Sequence, residues 1–546
     1  MKQYFKHLYA TLFLAFIVII SAHAQKWQWA YSDGLNGGAP DEGYCVLAGN
    51  NNNNVYLYGT ERFQSAGGPT TGLRFVKEFT KDGQPTKSFP LSYTGGIIRG
   101  LSKDNGSNIF LYGSIIDVYY FDTIRVSDGP NNGYIAKING NNRCEWVKTK
   151  RANDVKSVAF DDENNMYVTG RVVYSTTYID TFELHNTGSG SQMFIAKLDS
   201  NANCLWVKQS FGGNNEFTQV LVSGKYIYTR GYLVDTCTNF DNNTYCSNDY
   251  FLMQLDMSGK VQWFNPLKKL SGMAGYGGMG VDRNGNCYAT GVFYGITSFG
   301  KDTLFKKGKG MYEAFLVKHK PDGSVAWHRQ IYSDSAVSIN CSHTNDEGYT
   351  YIAGKFSGKT IFGRDTVIAK PVFNLSRTLD CNMFIARYDA NGNYLGVKTV
   401  FNAIANDITT DDSGCAIVTG SIHSGTTHFD DIERTSKGND DYFVAKLSAI
   451  TGNNNTIKEA TLNDKLLIYT NPNSGTFTIE VPASIAANTT AHLQIYNTAG
   501  SLIKSETVYI SNSTIGVDIG TVQKGLYTVT ITGSDAKKFT GKVMVE

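Results

Sequence analysis

One phrase recurs along the chain, and recurrence at near-constant spacing restricts the fold more than any other feature of a single sequence. Its clearest copy, residues 194–208, reads FIAKLDSNANCLWVK: an apolar-alternating stretch, a polar turn, and a short apolar stretch centred on Trp206. Related text starts at Phe75, Tyr134, Phe251, Phe315, Phe384 and Phe443, so that seven starts lie 59, 60, 57, 64, 69 and 59 residues apart. A second phrase precedes the first in every copy, as in ENNMYVTGR (163–171), with glycines at 59, 113, 170, 231, 291, 354 and 420. A polar turn followed by alternating Tyr, Val or Ile and then Gly predicts a hairpin feeding a strand. The strand before that turn is visible in 155–162 and 403–412. A third phrase, such as Phe121-Asp122-Thr123, Ile179-Asp180-Thr181 or Phe429-Asp430-Asp431, marks a polar corner between the second and third strands.

Four short antiparallel strands repeated seven times predict an all-β chain whose main domain, 25–452, is a seven-bladed β-propeller. The seventh copy (441–452) stops before any Trp strand, and KWQWAYSDG (26–34) supplies that kind of strand at the other end. Trp27 or Trp29 is therefore expected to complete the last blade and close the ring, which removes exposed sheet edges. Copies two to five carry Trp146, Trp206, Trp263 and Trp327; the sixth has Gly396, and in the first Phe89 lies two residues further on, so these two blades are expected to pack more weakly. Through its Tyr-x-x-Gly and F-[IV]-A-K phrases, the array over about 26–450 resembles the bacterial seven-bladed β-propeller repeat family. That resemblance implies a fold, without an activity.

Lys plus Arg number 50 and Asp plus Glu 48, a balance that gives no reason to expect a nucleic-acid partner. Lys2 and Lys6, the apolar run 12–20 and Ala22-His23-Ala24 read as a secretory signal, residues 1–24, cut between Ala24 and Gln25. No other segment reads as membrane-spanning. Nine cysteines suit an oxidising compartment, and an odd count leaves at least one unpaired. Cys237 and Cys246 bracket a polar loop and are the candidate disulfide. Cys144 and Cys204 share a repeat position and read as buried apolar thiols. No pair has CxxC spacing, so a zinc site is not expected.

Residues 453–465 are polar and read as a linker. Residues 466–546 alternate with period two and predict a small Ig-like β-sandwich of roughly seven strands. Asn471-Pro472 with Gly475, Ile495-Tyr496-Asn497 with Gly500, Val517-Asp518-Ile519, Gly525-Leu526-Tyr527 and Lys542-Val543 occur in order. With them this segment resembles the type A C-terminal sorting domain of the type IX secretion system of the Bacteroidota, except that Thr470 stands where the family usually has Pro. The resemblance implies export by the signal peptide into the periplasm and outer-membrane translocation with the type IX machinery as partner. Cleavage and surface attachment, or release, then typically follow.

The usual working region of a propeller is the mouth of its central channel. Its innermost strands here carry Arg99, Lys156, Gln219 and Asp407. Glu42, Glu216 and Glu313 read as falling at different repeat positions, with no carboxylate pair of the glycosidase kind. His319, His328, His423 and His428 are scattered, and neither HExxH nor a nucleophile elbow is present. No catalytic residue and no metal ligand is assigned, and no cofactor is expected. Calcium is the one ion weighed: turns beginning at Asp161 and Asp282 open like a Ca²⁺ loop, but position twelve is Val172 and Phe293, and any hairpin turn selects the same residues. Asp122-Thr123-Ile124, Asp302-Thr303-Leu304, Asp365-Thr366-Val367 and Asp334-Ser335-Ala336 also resemble the O-glycosylation acceptor sequence of Bacteroidota, although a polar blade corner accounts for the first three. The expected function is an exported propeller with a binding or adhesion role, its loops rich in Tyr and Asn taking a glycan or protein ligand. The alternative is a secreted hydrolase of polysaccharide or peptide working at the channel mouth.

Overall fold

The computed structural model describes residues 25–449 and 466–546, apart from 36–39, 50–53, 65–69, 92–95, 107, 116–118, 128–131, 142, 151–153, 187–189, 235–236, 248, 300, 370–381, 470–472, 481–489, 499–500, 511–513 and 533–537. The signal segment with Ala24, the linker 453–465, and Asn471, Pro472 and Gly500 lie outside the described residues. The chain divides into two compact units, 1–450 and 451–546.

In the first unit the period-two text folds as seven antiparallel blades of four strands. The second blade is representative: Gly96–Lys103 innermost, then Ile109–Ile115, Asn132–Ile138 and Cys144–Lys150. A single 21-residue strand, Val261–Val281, serves as the outer strand of the fourth blade and the inner strand of the fifth. The seventh blade takes Ala403–Thr410, Ala416–His423 and Asp440–Leu447 from the end of the array and Trp27–Asp33 from its beginning. Trp29 pairs with Lys446 as Trp206 pairs with Lys197, so Trp29 holds the repeated Trp position and Trp27 the position of Cys204.

The apolar residues bury between blades. A separate core lies in each interface, from the first and second blades (Leu91, Leu111, Ile138) around to the seventh and first (Val46, Phe75, Tyr442, Val444). Closure is therefore a packing fact as well as a hydrogen-bonding one. The Trp side chains act across the same interfaces. Trp263 donates its Nε1–H to Pro321 O (3.1 Å), Trp327 to Ala390 O (3.2 Å) and Trp29 to Lys81 O (2.8 Å), each on the next blade's turn between third and fourth strands. The turn glycines Gly323, Gly392 and Gly83 lie flat beneath these rings, with φ near 80°. This gives Gly396 a different reason from weak packing. The seventh blade takes its fourth strand from the N-terminus and so offers no such turn for a Trp from the sixth.

The polar corners form complete hairpins on the outside of the blades. Asp180, Asp241 and Asp430 each occupy the turn with φ between 50° and 55°. Their carboxylates accept from the first amide of their own blade's outer strand: Cys204 N at 2.6 Å, Val261 N at 3.1 Å and Trp27 N at 3.0 Å. Each also pairs with a lysine of the preceding blade, Lys150, Lys208 and Lys398. The N-terminal strand is thus held by the same clamp as its internal equivalents.

The second unit is a two-sheet sandwich. Leu467–Tyr469, Thr476–Glu480 and Thr514–Asp518 form one sheet; Leu502–Tyr509, Thr490–Tyr496, Gly525–Thr532 and Lys538–Val545 form the other. Phe477, Ile479 and Val517 from the first meet Leu493, Val529, Ile531 and Val543 from the second in a common core. Among the described residues, no helix is long and apolar enough to cross a membrane.

Candidate functional site at the channel mouth

A β-bulge interrupts the innermost strand at the same place in all seven blades, between the pairs 43/45, 98/100, 155/157, 217/219, 276/278, 339/341 and 405/407. An extra residue on one strand bends it and redirects its neighbours. The bulged residues are Tyr44, Arg99, Lys156, Thr218, Gly277, Asn340 and Asn406, and all seven line one cavity of about 270 Å³ in the channel. The bulge also explains the repeated glycine. At Gly113, Gly170, Gly354 and Gly420 a Cβ would meet the first strand's carbonyl oxygen at 1.8 to 2.0 Å. Each glycine pairs in register with the aromatic residue that opens the FIAK phrase, from Gly59 with Phe75 to Gly420 with Phe443. In several blades that ring covers the bare backbone, as Phe315 does at Gly291.

One step towards the mouth, the second strands present Thr60, Ser114, Arg171, Tyr232, Val292, Lys355 and Ser421, paired in register with Glu42, Ile97, Asp154, Glu216, Gly275, Ser338 and Ile404. This corrects the expectation that Glu42 and Glu216 hold different repeat positions and that no carboxylates face each other. Glu42, Asp154 and Glu216 are equivalent. The hairpins joining first and second strands differ in length, so counting back from the glycine misaligns them. Glu313 does stand apart, starting a third strand and accepting Lys307 N at 2.6 Å.

Asp154 and Glu216, each 4% exposed, are bridged by Lys156 Nζ at 2.9 and 3.0 Å. Arg99 donates to both oxygens of Asp154 (3.2 and 2.9 Å), Arg171 Nη1 lies 3.3 Å from Glu216, and Tyr232 donates to Glu216 at 3.3 Å. Deeper in the channel Arg230 donates to Tyr276 O (3.2 Å), and burial pulls its guanidinium down to about 10. On the wall supplied by the seventh blade, Asp407 accepts the N–H groups of Val46 and Ile408, both at 2.9 Å, while burial raises its carboxyl to about 6.

That shift has a testable sign. The ordinary carboxyl titrates near 3.8, so the native state binds the Asp407 proton more tightly than the unfolded chain. Stability attributable to this group rises as pH falls from 6 towards 4, and the full penalty is present above 6. Asp407→Asn turns its NH2 towards one of two backbone N–H donors and so costs stability at either pH, but it removes the titration: its stability relative to the parent is expected to improve by about 2 kcal/mol between pH 4 and pH 7.5. Denaturant titrations of both proteins at the two pH values check this.

The other candidate residues are dispersed. Cys237 and Cys246 face each other in an outer hairpin and are disulfide-bonded. Cys144 and Cys204 lie half-buried, each with Sγ near the carbonyl of the Trp two residues on, and burial pushes both thiols up to about 12. His319 stacks on Trp263 and burial lowers it to about 4; His423 pairs with Asp440 at 2.7 Å. Asp161 and Asp282 cap their own turns, accepting Asn165 N (2.8 Å) and Asn286 N (3.0 Å), and each also accepts the hydroxyl of a buried Tyr. Among the described residues no group of three or more His, Cys, Asp or Glu is arranged to hold a metal ion. In the sandwich, Gly475 takes φ 106° in a turn, Tyr527 donates to Gln523 O at 2.6 Å, Gly525 begins a strand, and Lys542 is exposed opposite Thr528.

The comparison with curated proteins gave no match. Among solved structures, the Dos1 propeller aligns with TM-score 0.39 and 10% identity over 79% of this chain and 96% of that one. A duf4221-family member from Bacteroides vulgatus gives 0.26 and 11% over 60% and 93%, and a Synechocystis apocarotenoid oxygenase 0.30 and 10% over 54% and 61%. The family model described as "Secretion system C-terminal sorting domain" matches residues 467–546. The second unit is therefore a type IX sorting domain, and the protein that carries it is exported to the cell surface or released from it.

Proposed function

We propose that the exported propeller is a binding module whose glycan or protein ligand meets the mouth of the central channel. One observation carries this reading. The positions that build a blade repeat from copy to copy, whereas those at the mouth vary: the second and seventh blades share an Ile–Ser pair, the other five pairs all differ, and among the described residues the charged ones contact one another only around the second, third and fourth blades. Repetition serves packing; a surface that breaks the repetition is where recognition can reside. The test is an array of glycans and extracellular-matrix proteins probed with the exported chain. Lys156→Ala is expected to abolish retention of the ligand found, while Lys225→Ala, in a turn at the far end of its blade, leaves it unchanged. Equal binding by both variants would remove the mouth from consideration.

The hydrolytic reading retains one specific observation, the facing carboxylates Asp154 and Glu216. Paired carboxylates cleave glycosides when one of them acts as acid. Here both are flanked by cations, and neither stands alone against apolar surroundings. Release of reducing ends from a polysaccharide, lost in Glu216→Gln, would favour that reading over binding alone.

Delivery depends on the sandwich. Removal of residues 463–546 is expected to leave the propeller in the periplasm, as fractionation and immunoblotting would show. Unchanged appearance outside the cell would contradict it.

A further inference from the structure

Arg171 is the unusual member of the mouth. Its guanidinium has five N–H donors, yet none makes a hydrogen bond to the protein among the described residues. Nη1 and Nε only approach Glu216 (3.3 Å) and Asp154 (3.7 Å), and the Nε–H is buried without an acceptor. Arg99 uses Nε and Nη2 on Asp154, which leaves Nη1 for another acceptor. Both arginines border a cavity of about 220 Å³ that also contains Ser114 and Tyr174. Tyr174 is 47% exposed there.

The charge balance narrows the ligand. Arg99, Lys156 and Arg171 face Asp154 and Glu216, which leaves one positive charge in excess. A monoanion neutralises that excess. A dianionic phosphate would add uncompensated charge beside two buried carboxylates. Guanidinium N–H groups match the planar oxygens of a carboxylate, and they also bind sulfate oxygens. An exposed tyrosine and a serine hydroxyl beside the arginines suit a ring that carries both C–H and O–H groups.

Resting on the binding function proposed above, we infer that this pocket takes the acid group of an acidic saccharide, a carboxylate or a sulfate ester, held by Arg171 and Arg99 with the sugar ring against Tyr174. The experiment is calorimetric titration of the full exported chain with three tetrasaccharides. Tetragalacturonate carries only carboxylates, a carrageenan-derived tetrasaccharide only sulfates, and maltotetraose no charge. At least one acid is expected to bind, more weakly as salt rises from about 50 to about 200 mM, and maltotetraose is expected not to bind. The stronger of the two acids identifies the group. Arg171→Gln is expected to weaken that binding at least about tenfold, with only a small drop in melting temperature, because Arg99 and Lys156 still neutralise Asp154 and Glu216 and Arg171 forms no hydrogen bond among the described residues. Tyr174→Ala is expected to weaken it as well.

Binding of neither acid, equal binding of maltotetraose, or undiminished binding by Arg171→Gln would each overturn the inference. If the chain retains some other ligand and Lys156→Ala removes it, the channel mouth remains a binding site and only the acidic-saccharide assignment falls.

Discussion

Gly420→Ala is expected to prevent the propeller from folding at ordinary temperature. The added Cβ would lie 1.8 Å from Ile404 O and 2.9 Å from its carbon, both backbone atoms of the bulged first strand. A flexible side chain could move aside, but a carbonyl fixed by the ladder can retreat only by undoing the bulge. Overpacking a core costs about 1–3 kcal/mol, and displacing a paired strand should exceed that range. Gly140→Ala is the control, because a Cβ there meets nothing within 4 Å. Circular dichroism and denaturant titration should show a folded control and a lost or strongly shifted transition for Gly420→Ala. A shift below about 1 kcal/mol would mean that the bulge is not what requires glycine.

This glycine shows how far the sequence could be read. Its recurrence at seven starts was plain, as were the alternation of the strands, the corner aspartates and the split blade. Each is a local signal repeated, and repetition makes local signals legible. The bulge was not legible. It lies in the least regular part of the repeat, and the turn beside it runs from two residues in the fourth blade to longer loops elsewhere. That variation also hid the equivalence of Glu42, Asp154 and Glu216. The Asp154–Lys156–Glu216 bridge and the stranded Arg171 depend on register between neighbouring blades, which no spacing within a single copy reports. A signal did exist: once Gly170 and Gly231 are paired with Val155 and Phe217, each preceding residue is acidic.

The Trp side chains teach a related lesson. From the sequence, Trp206 marks its own strand, and its absence at Gly396 suggests a weak blade. In three dimensions each Trp belongs to an interface, and what matters is whether the next blade offers a turn to receive it. The seventh does not, because its outer strand arrives from residues more than 400 positions away in the chain, Trp27 opposite Leu447.

Loss of that strand is the second change expected to have a large effect. Trp27 is 2% exposed and meets Phe429 edge-on at 5.0 Å between ring centres. Its amide is clamped by Asp430, and beyond it Lys437 pairs with Asp33 at 2.6 Å. Gln25 already joins the seam, its carbonyl accepting Lys398 Nζ at 3.1 Å. A chain shortened to begin at residue 35 would leave Asp440–Leu447 as an open edge, with one row of unpaired N–H and C=O groups. Such a chain is expected to melt at a markedly lower temperature and to associate, as light scattering after size exclusion would reveal. Trp27→Ala should produce a milder form of the same defect, costing about 3–5 kcal/mol without opening the ladder. A synthetic peptide of residues 25–34 is expected to restore a monodisperse propeller by adding the missing strand in trans. If the shortened chain stays monomeric with an unchanged melting temperature, the N-terminal strand does not close the ring. If the peptide rescues it, closure is a separable final step that waits for the two ends of the array to meet, and the long sequence separation of that contact makes it slow.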